Sequence, residues 1–175
     1  MSTTETTSGT TKTTNDATAR IVVGVDGSAE SAQALRWASR MTGITGGHLD
    51  VMIAWQYPAG FLYGMGLPDG WRPDENARTA LQEVLTQVFG SSRPDGLVAT
   101  VAEGHPAQVL LDASRGARLL VVGSRGHGGV SGLLLGSVSR VCAERAHCPV
   151  LVVHGEPAPG DEVAPEGTAK ALAHA

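Results

Sequence analysis

Residues 118–137 read RLLVVGSRGHGGVSGLLLGS. A short apolar run passes into a stretch with six glycines between positions 123 and 137. Such a run, rich in branched residues and bounded by glycine, is the signature of a strand buried on both faces. Glycine costs backbone entropy in a folded region. A cluster of it where a strand gives way to a helix implies that something must approach the main chain closely. The following segment, GSVSRVCAERAH, reads as a helix starting near Gly136–Ser137. The unit is therefore strand, glycine loop, helix.

The same alternation extends outward in both directions. IVVGVD (21–26) is a second run of the buried-strand type. Ser28 then opens a helical stretch, with Glu30 at its positive end. Ala34, Leu35, Ala38 and Met41 form the apolar stripe of that helix, and Gly43, Gly46 and Gly47 are expected to end it. HLDVMIAW (48–55), LVATVA (97–102) and PVLVVH (149–154) add further strands. ENARTALQEVLTQVFG and HPAQVLLDASRGA add helices, the first with a stripe of Ala80, Leu81, Val84, Leu85 and Val88. Pro106 sits in the first turn of the second, where its missing N–H does no harm. The order βαβαβαβαβ implies an α/β fold, a doubly wound five-stranded parallel sheet with right-handed crossovers and helices on both faces.

The bulk numbers fit one such domain. The chain has 175 residues, 42% hydrophobic and 17% charged, with a net charge of −4. That acidic balance gives no basic footprint for nucleic acid, and aromatics at 4% argue against a base-stacking surface. No apolar run approaches the length of a membrane span, and the N-terminus lacks a signal-peptide core, so a cytoplasmic location is expected. Cys142 and Cys148 offer no disulfide framework. The expected organisation is a Thr-rich disordered tail over 1–19, a folded domain over 20–154, and a flexible tail over 155–175.

Doubly wound sheets bind ligands beyond the carboxyl ends of the strands, where the strand order reverses. If the order is 3-2-1-4-5, strand one, ending at Asp26, and strand four, ending at Gly123, lie side by side at the reversal. Backbone N–H groups at a glycine-lined helix start favour a phosphate. Ser137 and Ser139 add hydroxyls, Arg125 a charge, and Asp26 a carboxylate suited to ribose hydroxyls.

Other chemistries fit less well. A Walker loop requires G-x-x-x-x-G-K-[ST], and the glycine loop contains no lysine. G-x-G-x-x-G is absent after strand one. The nucleophile elbow G-x-S-x-G does not occur; Gly129-Val130-Ser131-Gly132 is one residue short of it. Cys142, His147 and Cys148 lack paired zinc spacing, and Cys142 shares a helical stripe with Val138 and Val141, as a buried apolar residue would. His48, His105, His154 and His174 show no metal spacing. Trp55, Tyr57, Phe61, Tyr63 and Trp71 crowd a long segment after strand two, read as a packed cluster with a lid or partner surface as the sharper alternative. Asp112 is expected in a surface ion pair with Arg115 or Arg118.

Gly123, Gly126, Gly136 and Ser137 reproduce the Gly-x2-Gly-x9-Gly-Ser/Thr spacing of the universal stress protein family. IVVGVDGS resembles that family's first strand and turn, and HCPVLVV its last strand. The resemblance covers about residues 20–154 and is to the nucleotide-binding branch. It implies the 3-2-1-4-5 sheet and ATP, with Mg2+, as ligand, with cyclic AMP as a lesser possibility. It places Asp26 and Gly24 near adenosine, Val51 or its neighbour Met52 along the adenine pocket, and Gly104 at the border of the base. Gly123, Ser124, Arg125, Gly126, His127, Gly128 and Gly129 would wrap ribose and phosphates, with Ser137 and Val138 on the phosphates. The last strand, Pro149 to His154, is an exposed apolar edge that a twofold homodimer would cover. The expected role is an ATP-binding regulatory module for the stress response with an unidentified protein partner. A slow ATPase, a self-phosphorylating protein and a nucleotide-free dimeric adaptor are the alternatives.

Overall fold

The computed structural model describes residues 20–57, 72–126 and 134–155. Five strands and four helices alternate through them: β1 (Arg20–Gly24), α1 (Ala29–Thr45), β2 (His48–Trp55), α2 (Pro73–Phe89), β3 (Val98–Glu103), α3 (Pro106–Ala113), β4 (Leu119–Gly123), α4 (Ser137–Arg145) and β5 (Val150–Val153). The strands form one sheet in the order β3-β2-β1-β4-β5, and every pairing is parallel.

Because successive strand residues face opposite sides, each strand feeds two cores. Ile21, Val23 and Val25 of the first strand segment, with Leu49, Val51 and Ile53 of β2, pack beneath α1 and α2. Val22, Leu120 and Val122 pack with Leu110 of α3 and Cys142 of α4 on the other face. The first core is the larger, and it takes in Ala34, Leu35 and Ala38 of α1 and Leu81, Val84 and Leu85 of α2.

Local chemistry explains the element boundaries. Ser28 caps α1, its Oγ accepting from the Ser31 N–H at 3.2 Å, and Glu30 lies in the first turn. The helix ends at Gly46, whose φ of 69° is left-handed and whose N–H donates to the Thr42 carbonyl. Gly43, expected among the terminators, lies inside α1 instead: the left-handed turn that ends the helix falls at Gly46, and an isolated glycine is tolerated within a helix at a modest cost. α2 starts two residues earlier than its apolar pattern suggests, because Pro73 serves as its first residue. β1 is shorter at its carboxyl end than the run 21–26. Val25 N–H still donates to the Met52 carbonyl at 2.8 Å, but Asp26 N–H turns to the Ser31 hydroxyl.

At the opposite end of the sheet, Arg20 ties three elements together. Its guanidinium donates to Asp50 Oδ2 at 3.1 Å, to the Ala113 carbonyl at 2.7 Å and to the Arg115 carbonyl at 2.9 Å. It thereby closes the carboxyl end of α3, where last-turn carbonyls lack intrahelical partners. Nothing in the apolar patterning marked this residue. Asp112 pairs with Arg115 at 3.8 Å, between exposed side chains.

Candidate nucleotide cleft

A cavity of about 410 Å³ opens where β1 and β4 diverge, on the face of the sheet covered by α3 and α4. Its floor is the sheet itself: Gly24, Met52, Ala54 and Val122 line it. Leu110 and Pro106 close one side, and Leu135 through Ser139 the other, while Asp26, Arg125 and Gly126 stand at its rim. The lining is mostly apolar with a few polar groups, the usual make-up of a small-molecule site.

Gly24 sits directly beside Met52 across the β1–β2 ladder. A Cβ at position 24 would lie 2.6 Å from Leu110 Cδ1, so glycine lets α3 pack down while the floor stays open. Met52 is the β2 residue in the cleft. Val51 lies wholly buried in the larger core on the opposite face, because one step along a strand reverses the side-chain direction.

Asp26 is held by the start of α1. Its Oδ1 accepts from the Ser28 N–H at 3.0 Å and from the Ser28 hydroxyl at 2.6 Å. Its Oδ2 reaches over Gly126, so closely that a Cβ on residue 126 would overlap it. Arg125 extends back toward α1 and pairs with Glu30 Oε1 at 3.7 Å.

Gly136 caps α4 without a side chain to satisfy the helix N-terminus. Its own N–H donates to the Ser124 carbonyl at 2.7 Å, and the Ser139 hydroxyl donates to the same oxygen at 2.8 Å. Ser124 thus ties the end of β4 to the start of α4. Its side chain is 1% exposed, outside the cleft lining, and its Oγ is the buried side-chain polar atom left without a hydrogen-bond partner among the described residues. Gly123 is required by packing, since a Cβ there would come within 3.0 Å of the Glu30 carbonyl carbon. Gly104 also lies outside the lining. It has φ of 137° and donates its N–H to the Trp55 carbonyl, forming the turn between β3 and α3.

Of the residues singled out from the sequence, Gly24, Asp26, Gly123, Arg125, Gly126, Gly136, Ser137 and Val138 converge on this cleft. Val51, Gly104 and Ser124 do not line it. His127, Gly128 and Gly129 lie outside the described residues, as do Phe61, Tyr63 and Trp71. Trp55 and Tyr57 meet edge to face at 5.2 Å. The apolar lining residues Leu110, Pro106 and Leu135 and the cleft-rim partner Glu30 were not singled out as site residues. Leu110 was findable only from the helix stripe, and Glu30 looked like an ordinary first-turn carboxylate.

Among the described residues no group of three or more His, Cys, Asp or Glu side chains could hold a metal ion, and no helix is long and apolar enough to cross a membrane.

A parallel five-stranded sheet in the order β3-β2-β1-β4-β5, with a glycine-lined cleft at its switch point, defines a doubly wound α/β fold. The sequence profile of the Universal stress protein family matches residues 18–154. The chain belongs to that family. It is 37% identical over 144 residues to a universal stress protein of Mycolicibacterium smegmatis, covering 78% of this chain and 48% of the relative. It is 34% identical over 142 residues to one from Mycobacterium tuberculosis, with the same coverage of 78% and 48%. The chain therefore spans about half the length of the curated relatives it matches. Among solved structures, the universal stress protein UspA of Lactobacillus plantarum superposes with a TM-score of 0.62 at 22% identity, covering 77% of this chain and 96% of that one. A universal stress protein solved in complex with cAMP superposes with a TM-score of 0.58 at 24% identity, covering 79% and 99%. At these identities the likeness is one of fold.

Proposed function

We propose that this chain is an adenine-nucleotide-binding regulatory module, with ATP as its ligand and Mg2+ as the accompanying cation. The observation that carries the reading is the start of α4. A helix N-terminus whose cap residue has no side chain faces a cleft with an apolar floor. Backbone N–H groups at such a terminus favour an anion, and the hydroxyls of Ser137 and Ser139 stand beside them. The base would lie on Gly24, Met52 and Ala54, the ribose near Asp26, and the phosphates between Gly126 and Gly136. A solved family member holds cAMP, which makes the cyclic nucleotide the second ligand to try.

The cleft supports binding more directly than turnover. Phosphoryl transfer relies on positioned charge at the γ-phosphate, and Arg125, the cationic side chain among the described lining residues, is already paired with Glu30. In this reading the nucleotide orders the cleft and shifts the affinity for a protein partner. A homodimer through β5 accompanies it. Val150, Leu151 and Val152 lie on the sheet's outer strand and are only partly buried, an edge that a second copy would cover. A cytoplasmic location fits the same role.

Calorimetric titration of nucleotide-stripped protein with ATP and Mg2+, and separately with cyclic AMP, tests the reading. Saturable micromolar binding is the expected result. Absence of binding to both would overturn it in favour of a nucleotide-free adaptor. Phosphate release by the purified protein would move the assignment to a slow ATPase. Sedimentation of a β5 edge variant, Leu151→Lys, tests the dimer, which is expected to dissociate.

A further inference from the structure

Glu30 occupies an unusual junction. It lies in the first turn of α1, yet two other segments close on it. The end of β4 approaches its backbone, at 3.0 Å from a Cβ built on Gly123. The chain leaving β5 approaches its side chain, at 3.1 Å from a Cβ built on Gly155 to Glu30 Cγ. Its carboxylate, in a side chain 23% exposed, lies 3.7 Å from the Arg125 guanidinium. Arg125 in turn lines the cleft and is the only cationic side chain among the described residues that do so.

A phosphate in the cleft and the Glu30 carboxylate would therefore draw on the same guanidinium. We propose that Glu30 is a positioning residue that sets how strongly the cleft responds to ligand charge, by holding Arg125 away from the phosphate. The proposal rests on the phosphate-cradle reading above and names what regulates that site's selectivity. The chain leaving β5 packs against the Glu30 side chain, which keeps the carboxylate beside the half-exposed Arg125 guanidinium. With the pair intact, a weakly charged ligand loses little, whereas a more highly charged one meets an arginine already partly neutralised. Removing the carboxylate without changing the shape of the side chain frees the guanidinium for the ligand.

The experiment is a charge series titrated into the full chain: adenosine, cyclic AMP and AMP, against the wild type, Glu30→Gln, Arg125→Gln and the double variant. In Glu30→Gln, AMP is expected to bind about two- to fivefold more tightly, the scale of a partly exposed ion pair. Cyclic AMP should gain less and adenosine nothing, so adenosine affinity doubles as the check that the cleft is intact. In the Arg125→Gln background the Glu30→Gln gain should vanish, because the effect passes through Arg125. An equal change for all three ligands, no change for AMP, or a gain that persists without Arg125 would each overturn the proposal. Wild-type protein that binds none of the three, and no ATP with Mg2+ either, would overturn the nucleotide reading itself, and this inference with it; ATP binding without any response to Glu30→Gln would overturn this inference alone.

Discussion

The Asp26 carboxylate and the backbone of Gly126 meet across the rim of the cleft, with no room for a Cβ between them. The same carboxylate accepts two hydrogen bonds from Ser28, the cap of α1. Gly126→Ala must therefore swing Asp26 aside and disturb the cap with it. The expected outcome is a loss of stability of about 1 kcal/mol, the usual scale of a cap, together with weaker nucleotide binding. Urea unfolding and calorimetric titration read the two effects separately.

Gly136→Ala should behave differently. A Cβ there meets Arg125 Cα and the Ser124 carbonyl oxygen at 3.5 Å, an ordinary contact, and the backbone at φ −69° suits any residue. Stability is expected to stay within about 1 kcal/mol of wild type, while nucleotide binding falls because the methyl group stands where a phosphate would approach the amides. Unchanged ATP affinity in this variant would remove the backbone cradle.

Gly24→Ala tests the floor. The added methyl would displace the Leu110 side-chain end, 2.6 Å away. Leu110 itself lines the cleft, so its displacement reshapes the lining next to the floor. Overpacking of this kind costs about 1–3 kcal/mol, and adenosine and ATP should weaken alike because the obstruction is at the base and not at the phosphate. A loss confined to ATP would contradict this placement of the base.

Arg20→Met should destabilise more than Asp50→Asn. Losing the guanidinium strands the Asp50 carboxylate, whose side chain is 17% exposed, and also the carbonyls of Ala113 and Arg115. The Asp50 and Ala113 bonds are partly buried and the Arg115 bond is exposed, so water replaces part of what is lost and the cost is about 1 kcal/mol. Asp50→Asn removes one charge and leaves both carbonyl bonds in place. Chemical denaturation of the two variants should give that order.

Cys142 carries a pH dependence. Its side chain is fully buried, and burial pushes its thiol from the usual 9.0 to about 11. Burial raises Cys148 as well, against the lowering effects of the Leu120 backbone hydrogen bond and Arg20. In the window between 9.0 and about 11 the unfolded chain loses the Cys142 proton and the folded chain keeps it. The stabilisation is complete below that window and is lost as pH rises through it, on the order of 2 kcal/mol. Denaturation midpoints should fall more steeply with pH over this range in wild type than in Cys142→Ala.

The strand–helix alternation was written in the apolar periodicity, whereas the strand order that places the switch-point cleft came from the resemblance to the family. Strand register was not legible. Val51 and Met52 are equally apolar, and only the pairing of Gly24 with Met52 decides which one faces the cleft. Gly104 shows a second limit: a glycine beside a helix start can serve a turn with φ of 137° and not a ligand. Contacts between elements distant in sequence were invisible, Arg125 with Glu30 and Arg20 with Ala113 among them. Polar pairings leave no periodic trace, so patterning had no means of finding them.

The two faces of the sheet are unequal. α1 and α2 run 17 residues each over the larger core, whereas α3 and α4, which enclose the cleft, run 8 and 9. Short helices over a small apolar cluster open at lower free energy than long helices over a large one. Amide hydrogens of α3 and α4 should exchange with solvent sooner than those of α1 and α2, and a bound nucleotide should slow them selectively. The thin layer would then breathe while the thick one keeps the chain folded, letting the protein open its cleft without ever unfolding its frame.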